Sequence, residues 1–282
     1  MFERNRISAT SPRPRTRFRR IAGGIVVTSL ATVMTLKNTD FASTVRRDVI
    51  RNTVGMAPAQ FYSPFDGEVA ASGGMLTIAH NAGDRRDTAE TAIEHGADVV
   101  EVDVVSIGGV LYAAHDQPNQ RVGSVTFRGP TLDSIWDLVD GKARIELDLK
   151  DSSRSYLRLV IHFLKDRGGG ANVIISSRSP TALANLREML PDATLVYSVN
   201  NIISLQFLLQ NDALLETVDG VSIRASLLNE ESMDELKSHD LLVLAWTVND
   251  FATAEYLLEL GVDGVATDNL AILEYYSEAP AE

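Results

Sequence analysis

The sequence predicts a (β/α)8 barrel of the TIM type, preceded by an N-terminal membrane-directed segment, and three observations carry that expectation. Short apolar runs alternate with amphipathic stretches eight times over about 200 residues, the rhythm of repeated β-α units around a parallel sheet. Side chains suited to acid-base or cation chemistry stand at the carboxyl ends of several runs, and in a closed barrel those ends meet on one rim. No Gly-x-Gly-x-x-Gly turn or Walker loop follows the first run, which counts against an open nucleotide-binding sheet.

Taken in order, the chain begins with a basic head, residues 1–20, holding seven Arg against Glu3, or +6. Since the whole chain carries −12, the remainder carries −18. An acidic body of that size excludes nucleic acid as a partner class. Residues 21–36 are uncharged and mostly apolar, closed by Lys37. The run is a little short for the roughly 20 residues of a spanning helix and slightly long for the ~7–15 of a cleavable signal core. A signal anchor is favoured over a cleaved signal peptide, because no convincing small-x-small cleavage site follows Leu36 at the usual distance. By the positive-inside rule the basic head stays in the cytoplasm and the body faces outward, membrane-anchored, or secreted if the segment is cleaved. Residues 37–74, with Pro58, Pro64 and Gly73-Gly74 and no sustained period, read as a linker. The barrel domain is expected over residues 75–282. The chain has no Cys, which excludes disulfides, thiolate metal sites and thiol nucleophiles.

The expected strands are Leu76–Ala79, Val99–Asp103, Arg144–Leu149, Asn172–Ile175, Thr194–Ser198, Gly220–Ile223, Leu242–Thr247 and Val262–Ala266. The intervening helices are expected near 88–95, 131–138, 155–167, 180–190, 202–209, 230–238, 251–260 and 270–277. His80 follows the first strand, and Glu101 and Asp103 close the second. Being two apart, these carboxylates leave the same face of the strand and can grip one hard cation. Asp148 and Lys150 close the third strand, and Trp246 stands at the end of the seventh. Gly108-Gly109 reads as a hairpin turn that brings His115 back over the rim. Arg178, after the fourth strand, is the pocket residue available for a head group. A rim salt-bridge network of Glu101 and Asp103 with Arg144 is the structural alternative to a metal site, and Glu146 is an alternative third carboxylate to Asp148. His95, His162 and His239 lie in surface contexts and are not ligand candidates.

Together, Ala79-His80-x-x-Gly83, Gly96-Ala97-Asp98 leading into Glu101-Val102-Asp103-Val104, His115-Asp116, Asp148-Leu149-Lys150, Ala245-Trp246-Thr247-Val248-Asn249, Gly261-Val262-Asp263-Gly264 and Thr267-Asp268 resemble the glycerophosphodiester phosphodiesterase family over roughly residues 75–276. That resemblance implies a metal-dependent phosphodiester hydrolase. His80 and His115 would be acid and base, and Glu101, Asp103 and Asp148 would hold a divalent cation, Mg2+ or Ca2+. Lys150 and Trp246, with Asn81 and Arg178, would line the substrate pocket. The implied partner is a small glycerophosphodiester or lysophospholipid-like substrate, with no protein partner. Three departures from the family pattern stand out. Asn81 replaces the Arg that usually follows the first His. The usual Glu-Asn-Thr is absent and Asp84-Arg85-Arg86-Asp87 takes its place, with Arg85 or Arg86 able to supply the lost charge. Asp148-x-Lys150 replaces Glu-x-Lys, as in the sphingomyelinase D branch, so a phosphodiesterase forming a cyclic phosphate is an alternative. A catalytically inactive lipid-binding barrel at the cell surface is another.

Overall fold

The computed structural model describes residues 75–115 and 129–277, which belong to one compact unit, Ala59–Glu282. The expected basic head, apolar segment and linker lie outside the described residues. Among the described residues no helix is long and apolar enough to cross a membrane.

The strands are β1 (Leu76–Ala79), β2 (Val99–Ile107), β3 (Val110–Ala113), β4 (Arg144–Leu149), β5 (Val173–Ser177), β6 (Thr194–Val199), β7 (Gly220–Arg224), β8 (Leu242–Trp246) and β9 (Gly264–Thr267). All except β3 pair in parallel in the order β1-β2-β4-β5-β6-β7-β8-β9, and β9 returns to β1, so the sheet closes into the expected eight-stranded barrel. The helices are α1 (Arg86–Glu94), α2 (Leu132–Val139), α3 (Arg154–Lys165), α4 (Pro180–Met189), α5 (Ile202–Leu209), α6 (Asp212–Leu215), α7 (Glu230–Lys237), α8 (Phe251–Glu259) and α9 (Leu270–Ser277). Most begin at a side-chain cap: Thr131, Ser153, Ser179, Asn201, Asn229 and Asp250 each accept a hydrogen bond from a first-turn amide.

Two boundaries differ from expectation for identifiable reasons. β2 runs on to Ile107 instead of ending at Asp103, because β3 folds back antiparallel on Val104–Ile107 through Gly108 and Gly109, both at positive φ. β9 starts at Gly264, not Val262, because Asp263 is occupied as a brace. Its Oδ2 accepts the Val243 amide at 2.6 Å and pairs with Lys237. The same device recurs elsewhere. Asp98 accepts both the amide and the hydroxyl of Thr77 at 2.8 Å, tying β1 to β2. Asp219 accepts the Leu195 amide at 2.7 Å, tying β6 to β7. An aspartate just before a strand thus holds the start of its neighbour, and these bonds sit at the amino-terminal end, away from the rim.

Inside the barrel, Ile78, Val99, Ile174, Val196, Leu244 and Ala266 form one buried cluster, each large side chain contributing about 1.5–3 kcal/mol of burial. One layer nearer the rim the interior turns polar. Glu101 stands in register with Glu146, and Asp103 with Asp148. Outward-facing Val100, Val102, Leu147, Ile175 and Leu195 are buried instead beneath the helices.

Candidate active site

Period-two alternation along β2 aims Glu101 and Asp103 into the barrel, and the register with β4 sets Asp148 beside them. One oxygen of each carboxylate lies within 4.8 Å of the others. Glu101 and Asp103 are buried and Asp148 half-buried. Lys150 Nζ approaches Asp103 Oδ1 at 2.6 Å and Asp148 Oδ2 at 2.5 Å. Even so, both oxygens of Asp103 are buried without a well-formed hydrogen bond. Three hard oxygen donors carry −3 against one ammonium when all are ionised, and apart from its contact with Lys150 the buried Asp103 carboxylate has no well-formed hydrogen bond. The residues therefore fit a divalent cation of the oxygen-seeking kind.

Arg144 does not pair with this cluster. It stands in register with Val99, at the far end of the barrel, and Lys150 supplies the positive charge instead. Glu146 is buried beneath the cluster. Burial, then the charges of Glu101 and Asp148, raises its carboxyl well above the usual range, against a hydrogen bond from Ser176. That burial disfavours its ionised form, and the cluster of carboxylate oxygens is completed by Asp148. Burial, followed by repulsion from Asp103 and Asp148, pushes Glu101 up to about 8. Asp103 is raised by burial too, against the pull of Lys150. Burial opposes the Lys150 ammonium, but Asp148 and Asp103 more than offset it, and its pKa is raised.

His80, directly after β1, is fixed from two sides. Its backbone amide donates to Thr267 O at 3.0 Å, and ring Nδ1 lies 2.9 Å from Asp268 Oδ1. Asp268 is itself gripped by Asn249, whose Nδ2 donates to Oδ2 at 2.9 Å while its Oδ1 accepts the Asp268 amide at 2.8 Å. With Nδ1 engaged, Nε2 faces Glu101 Oε2 at 4.0 Å. Asn81 adopts a left-handed backbone, φ 52°, a conformation Asn tolerates. This turns its amide toward Glu101 Oε2 at 3.2 Å. At Gly83, a Cβ would lie 2.3 Å from Val102 Cγ2 and 2.9 Å from Glu101 O, so only Gly lets this turn lie flat on β2. His115 is exposed at the mouth, brought there by the β2-β3 hairpin, with the Ala114 amide on Asp103 O at 2.8 Å.

These groups enclose a cavity of about 290 Å³ at the carboxyl-terminal rim, lined by His80, Asn81, Glu101, His115, Asp148 and Lys150, with Arg178 and Trp246 on its walls. The acid-base, metal and pocket residues expected from the sequence therefore line the cavity except Asp103, which contacts Lys150. Arg85 and Arg86 do not line it either. Arg85 pairs with Asp87 at 2.5 Å, and Arg86 donates to Ser134 O at 2.9 Å. Their side chains are spent on the surface around α1, so neither replaces the positive charge missing after His80.

Three residues were missed. The Thr267 hydroxyl orders the loop after β9, donating to Asn249 Oδ1 at 3.2 Å and accepting the Asn269 amide at 2.9 Å, while the neighbouring Asp268 carboxylate holds the His80 ring. Asp84 accepts the Asp103 amide at 2.9 Å, and burial, with the Asp103 charge, pushes it up to about 7. Arg224 ends β7 and lies 5.5 Å from the Trp246 ring centroid. A charged residue closing an apolar run was the available signal for Arg224; Asp84 and Asp268 are linked to their partners only by the fold.

A closed parallel barrel whose rim gathers imidazole, carboxylates, ammonium and an indole around one cavity has the (β/α)8 architecture with a candidate active site at the carboxyl-terminal rim. The model of the glycerophosphoryl diester phosphodiesterase family matches residues 136–272, a segment that includes Asp148, Lys150 and Trp246. A glycerophosphodiester phosphodiesterase of Arabidopsis thaliana is 27% identical over 239 residues, 73% of this chain and 72% of that one. One of Bacillus subtilis is 28% identical over 185 residues, 61% of this chain and 60% of its own length. Two solved structures share the fold. An Oleispira antarctica phosphodiesterase in complex with the product sn-glycerol-3-phosphate has a TM-score of 0.61 at 20% identity, covering 72% of this chain and 96% of that one. A Thermotoga maritima glycerophosphodiester phosphodiesterase has a TM-score of 0.58 at 18% identity, covering 71% and 97%. Over residues 136–272 the chain is similar to the glycerophosphoryl diester phosphodiesterase family, and the two curated relatives it resembles are glycerophosphodiester phosphodiesterases.

Proposed function

We propose that the protein hydrolyses glycerophosphodiesters or lysophospholipid-like diesters to an alcohol and a glycerol phosphate, using His80 and His115 as acid and base. The observation that carries this reading is the placement of an Asp268-held imidazole at one wall of a cavity lined by Glu101, Asp148 and Lys150, with Asp103 in contact with Lys150 behind them. The sn-glycerol-3-phosphate product in the Oleispira antarctica phosphodiesterase supports a small phosphodiester as substrate.

A diester resists attack because its negative charge repels nucleophiles, and the transition state concentrates more charge on its non-bridging oxygens. Glu101, Asp103 and Asp148 would hold a divalent cation, Mg2+ or Ca2+, which would supply positive charge to offset that build-up. Lys150 meets one of those oxygens within the same cavity. Imidazole serves as a base and imidazolium as an acid near neutral pH. With Nδ1 of His80 engaged by Asp268, its Nε2 is the nitrogen presented to the cavity, and a proton moves there to or from the reacting oxygen. His115, exposed at the mouth, handles the proton on the opposite oxygen. Such groups each contribute about 10²–10⁴ in rate. Trp246 gives an apolar wall to the alcohol part. We further propose, from the basic head and the apolar run 21–36, that the chain is membrane-anchored with this barrel outside the cytoplasm, or secreted if the segment is cleaved.

The full-length protein incubated with glycerophosphocholine and lysophosphatidylcholine, with Mg2+, Ca2+ or chelator, is followed by phosphorus NMR. Glycerol phosphate formed only with the cation, and not by His80→Ala, is the expected outcome. A cyclic phosphate as first product would replace attack by water with attack by a substrate hydroxyl. Full turnover by His80→Ala would overturn the acid-base assignment.

A further inference from the structure

Arg178 and Arg224 stand out among the described cations by where they lie. Several basic side chains around the barrel have carboxylate partners: Lys150 lies against Asp103 and Asp148, Arg187 against Asp219 at 2.6 Å, Lys237 against Asp263, and Arg167 against Asp133. Arg178 and Arg224 pair with no carboxylate among the described residues, although the body of the chain is strongly acidic. Both are exposed, and both line the active cavity. Arg224 is stacked beside Trp246, its guanidinium carbon 5.5 Å from the ring centroid. Such stacking orients the planar cation and leaves its N–H edges free for a ligand.

Their position on the rim defines what they can meet. In the closed order β1-β2-β4-β5-β6-β7-β8-β9, β6 stands opposite β1. Arg178 follows β5 and Arg224 ends β7, so they flank the point across the mouth from His80, with Asn200 after β6 between them. They are therefore too far round the rim to stand in for a cation next to His80. A diester whose phosphorus lies over the carboxylate cluster has to send one of its alcohol arms toward this side. We propose that Arg178 and Arg224 form a second anion subsite, selecting phosphodiesters whose alcohol arm bears an additional phosphate or carboxylate and disfavouring quaternary ammonium arms such as choline. This rests on the phosphodiesterase reading above and gives it a substrate class. Two guanidiniums can clamp one phosphate or carboxylate bidentately, and they repel a cationic arm at the same place.

The test compares kcat/KM of the full-length protein for glycerophosphoglycerol with that for the same diester bearing a terminal phosphate, in the wild type, in R178M/R224M and in R178K/R224K. The wild type is expected to prefer the phosphate-bearing substrate. The preference should fall roughly 10- to 100-fold in the methionine variant, mainly through KM, and partly survive in the lysine variant. An unchanged preference, or an equal loss on both substrates, overturns the subsite. Calorimetric titration with glycerol 3-phosphate and glycerol 1,3-bisphosphate in the presence of Mg2+ separates this from the reading it rests on. If the wild type cleaves neither diester, an arginine-dependent preference for the bisphosphate still supports the subsite while the hydrolase reading falls, and the lack of such a preference overturns the subsite as well.

Discussion

Glu101→Gln is expected to flatten the pH dependence of stability of the cation-free protein. In the folded chain, burial and its carboxylate neighbours hold Glu101 at about 8, against an ordinary value of 4.5. A carboxyl raised on folding binds its proton more tightly in the native state, so its contribution is fully present below pH 4.5 and disappears as pH rises toward 8. Between pH 5 and pH 8 the unfolded chain ionises freely while native Glu101 does not. Three pH units at about 1.36 kcal/mol each amount to about 4 kcal/mol of lost stability. For a barrel of this size that is a fall of about 8–16 °C in Tm. Gln keeps the shape and the acceptor for the Asn81 amide but cannot ionise. Thermal melting with chelator at pH 5, 6, 7 and 8 reads the effect directly. The wild type should lose Tm across the series and the variant should lose distinctly less. The Asp84 and Asp103 shifts act in the same direction and are common to both proteins, whereas Glu146 loses the Glu101 part of its shift in the variant, which flattens the variant's slope further. Equal slopes for the two would refute the placement of Glu101 as a buried, charge-frustrated carboxyl. Saturating Mg2+ or Ca2+ should reduce the wild-type slope, because a cation favours the ionised cluster.

Asp268→Ala frees the His80 ring and should lower kcat at least about tenfold with little change in KM, read by steady-state kinetics; Asp268→Asn should recover part of the loss by keeping a hydrogen bond to the ring. Lys150→Met leaves buried Asp103 and half-buried Asp148 facing each other unpaired. It should cost about 3–5 kcal/mol in chelator-treated protein, measured by urea titration, with much of the loss recovered on adding Mg2+. Gly83→Ala pushes a methyl into Val102 and the Glu101 carbonyl. A destabilisation of about 1–3 kcal/mol by urea titration is expected, with a larger loss of kcat, because the displaced turn carries His80 and Asn81.

The barrel was legible because its two periods are written plainly in the chain. Alternation along Val99–Asp103 puts two carboxylates on one face, and the helices between strands are amphipathic and capped. Individual carboxylates were legible as a class, since an Asp or Glu inside an apolar run has no solvent to reach. Their division into roles was not. Glu146 and Asp148 differ by one step along the same strand face, and only depth separates a carboxyl whose ionised form burial disfavours from one that faces the cation cluster. Asp268 escaped because its partner lies 188 residues away, a contact created by closing β9 onto β1. Arg85 and Arg86 misled for the complementary reason. Nearness to His80 in sequence says nothing about direction once α1 turns their side chains to the surface.

The apolar cluster of Ile78, Val99, Ile174, Val196, Leu244 and Ala266 does more than stabilise the barrel. It seals the vessel from below, so traffic is confined to a single doorway. Among the described residues, the opening lined by His115 is then the route in and the route out, and under the hydrolysis proposed above two products of unequal charge would share it. The neutral alcohol would have little to detain it. The phosphate monoester, richer in negative charge than the diester it came from, would be held by Lys150 and would depart last. On that reading product release would limit turnover at high substrate, and added glycerol phosphate would act as a competitive inhibitor.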